Sequence, residues 1–164
     1  MTALASAGRL LFAAVPGFKP VLAIIIVTAI SFGPASGFMT GALTALASNL
    51  FFGQGPWTPW QMYAFGLIGY LAGLLQEKAA FKRPLFVYIY GFFSAFLYGI
   101  ILDTWHVISF LKPITWQGAI LVFGQGAIFN FLLAVATVVF LIPIRAPWTR
   151  QLERIKQKFG LTAG

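Results

Sequence analysis

No Asp, Glu, Lys or Arg interrupts the chain between Trp116 and Ile144. That run exceeds the roughly 20 apolar residues an α-helix needs to cross a hydrocarbon core of about 30 Å. In lipid the backbone must satisfy its own hydrogen bonds, so a charge-free run of this length reads as helix. The rest of the 164-residue chain follows suit, with 60% hydrophobic and 9% charged residues. A soluble domain carries about 25% charged residues. A soluble enzyme, a disordered tail and a nucleic-acid module are therefore excluded, and the net charge of +8 needs another explanation.

Six apolar runs stand between Pro, Gly and charge signals: Ala3–Val15, Pro20–Phe32, Pro34–Phe52, Pro59–Leu75, Pro84–Leu111 and Trp116–Ile144. Four open at a proline, which suits the first turn of a helix because the missing N–H costs little there. The first run is short for a span. A cleaved signal peptide is a poor alternative, since no basic region precedes Ala3 and Arg9 breaks the run. The expected fold is an all-α integral membrane protein, a six-transmembrane-helix bundle over residues 1–146. Residues 147–164, from Trp148 onward, read as a basic amphipathic cytoplasmic tail on the inner membrane surface.

The charge falls at the ends of the runs. Lys78, Lys82, Arg83, Arg145, Arg150, Arg154, Lys156 and Lys158 lie in the even connections and the tail, whereas the odd connections hold only Lys19 and Lys112. By the positive-inside rule both termini are expected in the cytoplasm.

Small residues four apart mark packing seams, because helices in lipid associate through close approach rather than hydrophobicity. Such rows are Gly37, Gly41 and Ala45, then Asn49; Gly69 and Gly73; Gly91, Ala95 and Gly99, then Asp103; Gly126, Asn130 and Ala134; and Ala3 with Ala7. Ordinary intrachain packing explains such rows, with docking of another membrane protein as the alternative.

Polar groups inside a membrane need partners and mark function. Asp103 is the one acid within a run, followed by Trp105 and His106, and Gln125 and Asn130 lie in the last run. With the loop Gly53-Gln54-Gly55-Pro56-Trp57-Thr58-Pro59-Trp60-Gln61 they converge on the expected outer half. Two Gly and two Pro around two indoles favour a rigid aromatic lid over a polar cavity, as binding of a sizeable solute requires. An interfacial aromatic belt enriches Trp and Tyr as well. The repeat of Phe52-Gly53-Gln54-Gly55 at Phe123-Gly124-Gln125-Gly126 spans a loop and a run, and reads as coincidence.

Catalytic signatures are missing. There is no phosphate-binding Gly-rich loop ending in Lys-Ser or Lys-Thr, no Gly-x-Ser-x-Gly turn and no cysteine, and a single histidine cannot build a three-ligand zinc site. No catalytic residue, no metal and no permanently bound cofactor are expected.

Phe18-Lys19-Pro20, Gly33-Pro34-Ala35-Ser36-Gly37 and above all Phe51-Phe52-Gly53-Gln54-Gly55-Pro56-Trp57-Thr58-Pro59-Trp60-Gln61-Met62 resemble the substrate-binding S-components of energy-coupling factor (ECF) transporters, a kind of ABC transporter. Within that family the chain looks most like the cobalamin-specific group. The resemblance implies a multi-pass protein of a bacterial cell membrane that is not itself an enzyme. It would take up vitamin B12 or a related corrinoid from outside and deliver it by toppling in the bilayer. Its partners would be a transmembrane coupling subunit, met through Ala3 and Ala7, and two cytoplasmic ATPase subunits, with no nucleic acid. For a corrinoid, Trp57 and Trp60 would cover ring faces with Tyr63 nearby. Gln54, Gln61, Asp103, His106, Gln125 and Asn130 would meet the peripheral amides. The alternatives are another micronutrient, such as riboflavin or a queuosine precursor, and a membrane scaffold or channel subunit without a solute pocket.

Overall fold

The computed structural model describes residues 1–160, which form six α-helices and contain no strand. They are α1 (Thr2–Leu11), α2 (Val21–Phe32), α3 (Pro34–Phe52), α4 (Thr58–Leu75), α5 (Pro84–Phe110) and α6 (Trp116–Lys158), with a 3-10 turn at Ala79–Lys82. Proline occupies the first turn of α3, α4 and α5, as the sequence anticipates. The first run ends early: α1 closes at Leu11, and Phe12–Val15 leave the helix in turns.

By length and composition α3, α5 and α6 can each cross a membrane. At 1.5 Å per residue, α1 and α2 rise only about 15 and 18 Å. The chain is thus an all-helical membrane protein in which two helices are shorter than a full span.

α2 is apolar on every side, and a helix of that kind belongs in the interior. Val21–Ala29 and Ser31 are buried, and α2 packs against all five other helices. Several hydroxyls buried in this bundle bond to their own helix one turn back. Thr28 donates to the Ile24 carbonyl at 2.7 Å, Thr44 to Thr40 at 2.6 Å and Thr137 to Leu133 at 2.7 Å. Such back-bonding removes the cost of an unpaired donor without any partner helix.

Apart from Ala3 and Ala7 on α1, the small-residue rows are intrachain seams of two kinds. Between α3 and α4 backbone meets backbone: a Cβ on Gly37 or Gly69 would strike the other's carbonyl, and one on Gly41 would strike that of Phe65. Between α5 and α6 a glycine receives a side chain instead. Asn130 fills the space at Gly99, Asp103 that at Gly126 and Leu141 that at Gly91.

α6 continues through Pro143 and Pro147 to Lys158, so the basic stretch set apart from residue 147 on sequence is one helix with the run before it. Each proline removes one bond to the carbonyl four residues back. Beyond them Trp148 and Leu152 pack onto the core, and Lys156 Nζ donates to the Ser31 carbonyl at 3.4 Å. The last residues of the expected tail, 161–164, lie outside the described residues.

Candidate functional site

The unequal helix lengths create a recess. Gly17, in the left-handed region at φ 72°, seats the α1–α2 turn against Phe129, Leu132 and Leu133 of α6. That contact lies about 20 Å along α6 from Trp116. No residue of α6 from 116 to 129 is buried, and burial begins at Asn130. At this end α4, α5, α6 and the α3–α4 loop stand above a floor made by α1, α2 and the last turn of α3.

A buried arginine forms that floor. Arg9 is 7% exposed, donates from Nη1 to Ser48 Oγ, and lies 5.4 Å from the Phe52 ring and 5.3 Å from that of Phe65. Phe65 in turn stacks on Tyr98 at 4.7 Å and 14°. Lys19 Nζ stands 5.4 Å from the same Phe52 ring. These partners are a hydroxyl and ring faces, so two cations share a site among neutral groups. Burial, and then the charge of Arg9, push the Lys19 pKa below its ordinary value. Cation–π contacts offset part of this cost, but a buried charge without an anion stays expensive. Sequence reading passed over Arg9 as a break in a short run, although a lone arginine in an apolar helix is itself a signal.

Above the floor the α3–α4 loop is tied by one network. Asn49 Nδ2 donates to Thr58 Oγ1 at 3.1 Å and to Gln61 Oε1 at 2.9 Å. Thr58 Oγ1 donates to Gln54 Oε1 at 2.9 Å, and Gln54 Nε2 to the Leu46 carbonyl at 3.0 Å. Gly53 at φ 100° turns the chain, and Gly55 lies under the Trp57 indole, where any Cβ would meet the ring. Trp57 is thereby held edge-on to Trp105 at 6.3 Å. Trp105, noted on sequence only as a neighbour of Asp103 and given no contact with the solute, joins the site here. Its spacing from Asp103 does not announce it, because only the crossing of α4 and α5 brings the indoles together.

Asp103 and Asn130 meet across the α5–α6 seam, with Asn130 Nδ2 donating to Asp103 Oδ2 at 3.4 Å. His106 is exposed and borders Trp105 and Phe110, with ring centroids 6.4 and 5.0 Å apart. Gln125 is exposed one turn beyond Asn130, in the unburied part of α6. Trp60 and Tyr63 do not join this cluster. They are 36% and 53% exposed and line a shallow hollow with Pro59 on the periphery of α4. That is where an interfacial aromatic belt would stand.

Ala3 and Ala7 face outward on α1 beside the exposed Leu4 and Leu11. Ala7 edges an apolar groove of about 220 Å³ shared with Gly8, Ile24, Phe140, Ile144 and Trp148. Among the described residues no group of three His, Cys, Asp or Glu side chains could hold a metal ion.

The chain matches a family model described as the ECF-type riboflavin transporter, S component, over residues 1–150. No solved structure matches it.

Proposed function

From a chain that belongs to the family of ECF-type riboflavin transporter S components, and so is a substrate-binding subunit of a vitamin transporter rather than an enzyme, we propose that the cargo is riboflavin. The family match supports the S-component reading but not the cobalamin-specific group, and it favours the flavin alternative. The match over residues 1–150 is the observation that carries this reading.

Chemistry of the recess supports it. A flavin ring is flat, carries carbonyl acceptors along one edge and bears a polyhydroxyl chain. Trp57 and Trp105 offer aromatic faces and edges for stacking. Arg9 has guanidinium donors beyond the one given to Ser48, enough for a carbonyl edge. Asp103, His106, Gln125 and Asn130 supply acceptors and donors for hydroxyls, with Gln54 and Gln61 holding the loop. A corrinoid is far bulkier than a flavin and presents peripheral amides in place of a flat carbonyl edge.

Riboflavin fluorescence titrated with the purified protein tests this reading. Saturable quenching that cyanocobalamin does not reverse is expected. Trp57→Ala should weaken binding about 5- to 150-fold, since losing one stacking face costs about 1–3 kcal/mol. Trp60→Ala should change it by less than about twofold. Competition by cyanocobalamin, or equal losses in the two variants, would count against the flavin site as drawn.

In this reading the subunit works in a bacterial cell membrane with both termini cytoplasmic. The eight bases at the Lys156 end face the cytoplasm, and the recess opens outward. A transmembrane coupling subunit meets Ala3 and Ala7, two ATPase subunits supply the energy, and the whole S-component topples to deliver its cargo. The apolar groove beside Ala7 and the exposed Leu11 support that surface. Ala7→Trp is expected to abolish riboflavin uptake by cells while leaving binding to the purified protein within about twofold. Normal uptake would remove α1 from the coupling surface.

A further inference from the structure

The opposite end of the bundle carries a second polar cavity that vitamin capture does not use. It has a volume of about 630 Å³ and lies between the C-terminus of α2, the α4–α5 connection and the far part of α6. Arg145, Thr149, Glu153 and Lys156 recur along one face of α6, and Glu77 and Lys82 approach from the connection. Two polar atoms of that wall, Arg145 Nε and Thr149 Oγ1, are buried without any hydrogen-bond partner. Arg145 spends Nη2 on the Lys82 carbonyl at 3.4 Å, and Lys156 Nζ reaches the Ser31 carbonyl at 3.4 Å.

Buried polar atoms are almost always paired, so two orphans side by side in one cavity mark a place for a ligand. The donors Arg145 Nε, Thr149 Oγ1, Lys82 and Lys156 suit an anion with several acceptor oxygens, and a phosphate diester is the simplest match. Glu77 and Glu153 argue against a purely anionic guest, because they would repel it. A guest carrying a phosphate and, a few bonds away, a hydrogen-bonding ammonium satisfies both sets of charges. Ile30 and Phe81 add an apolar shelf, and the cavity sits where α2 and α4 end and α6 runs on past them.

We propose that this cavity is a headgroup site for an aminophospholipid, with the phosphate on Arg145, Thr149, Lys82 and Lys156 and the ammonium between Glu77 and Glu153. It lies at the far end from the recess and does not depend on which vitamin the protein carries. A lipid seated there ties α2, the α4–α5 connection and α6 together at the membrane surface.

Native mass spectrometry of protein released from nanodiscs holding equal parts of phosphatidylethanolamine, phosphatidylcholine and phosphatidylglycerol tests it. Retention of phosphatidylethanolamine over both others by about tenfold is expected. Arg145→Gln with Thr149→Val should erase that retention, and Glu77→Gln with Glu153→Gln should erase the preference over both other lipids while a phospholipid is still retained. Circular dichroism and monodispersity verify that both variants fold, and the second pair leaves the phosphate wall intact if the first does not fold. Equal retention of the three lipids, or a preference that survives both pairs, would overturn the proposal. Thermal stabilisation by inorganic phosphate or soluble glycerophosphoethanolamine, without lipid preference, would overturn it in favour of a soluble anion.

Discussion

Arg9→Met is expected to lower riboflavin affinity about 10- to 100-fold while leaving the melting temperature of the ligand-free protein unchanged or higher. The two effects have different origins. Hydrogen bonds from a charged donor are worth about 1.5–3 kcal/mol, and each 1.4 kcal/mol is a factor of ten in affinity. In the free protein the same charge is buried against Ser48, Phe52 and Phe65, with Lys19 adding a like charge nearby. Replacing even a buried ion pair by apolar side chains of similar volume is often neutral or stabilising by about 1–4 kcal/mol, and Arg9 is held by a hydroxyl and ring faces instead of an anion. Arg9→Lys should fall between, because it keeps the charge and loses the planar fork. Calorimetric titration and differential scanning fluorimetry on the same preparations check both. A parallel fall in melting temperature and affinity would make Arg9 a structural residue. Unchanged affinity would remove it from the site.

Gly41→Val should have the largest effect on stability. Its side chain would enter the space of the Phe65 carbonyl and the Gly66 nitrogen, which are backbone atoms and cannot rotate away. Overpacking a core costs about 1–3 kcal/mol even where side chains can yield, so a loss of at least about 3 kcal/mol is expected. Gly124→Ala is the matched control. A Cβ there meets nothing within 4 Å, and alanine is the better helix former by about 1 kcal/mol. Unfolding by denaturant in mild detergent, followed by circular dichroism, separates the two. A Gly41→Val protein as stable as the parent would show that α3 and α4 pack differently from the seam described above.

Local chemistry explains why so much of the helical layout was legible. Pro34 and Phe52 bound α3 where the sequence puts them, because proline starts a helix and Gly53, at positive φ, stops one. The small-residue rows could be read as seams because a missing side chain is as visible in sequence as a present one. The site was harder. Trp57 and Gln61 are four residues apart and share a face of α4, whereas Trp60 and Tyr63 turn about 60° and 120° away from Trp57 toward the periphery. Counting aromatics in one loop could not separate them.

What the sequence determined by itself was therefore everything with a local cause. That covers six helices, the proline-marked starts of α3, α4 and α5, the glycine seams, and the bases gathered at alternate ends of the runs, but not the ends of α1 and α6. The tertiary structure alone decided depth. The α1–α2 turn docks at Phe129–Leu133 rather than beside Trp116, which sinks Arg9 and Lys19 into a floor and leaves Trp57, Trp105, Asp103 and Gln125 above it. Helical periodicity says which face a residue shares with its own neighbours. How far one helix slides along another follows from which side chains find a glycine across the seam, and that depends on both partners at once.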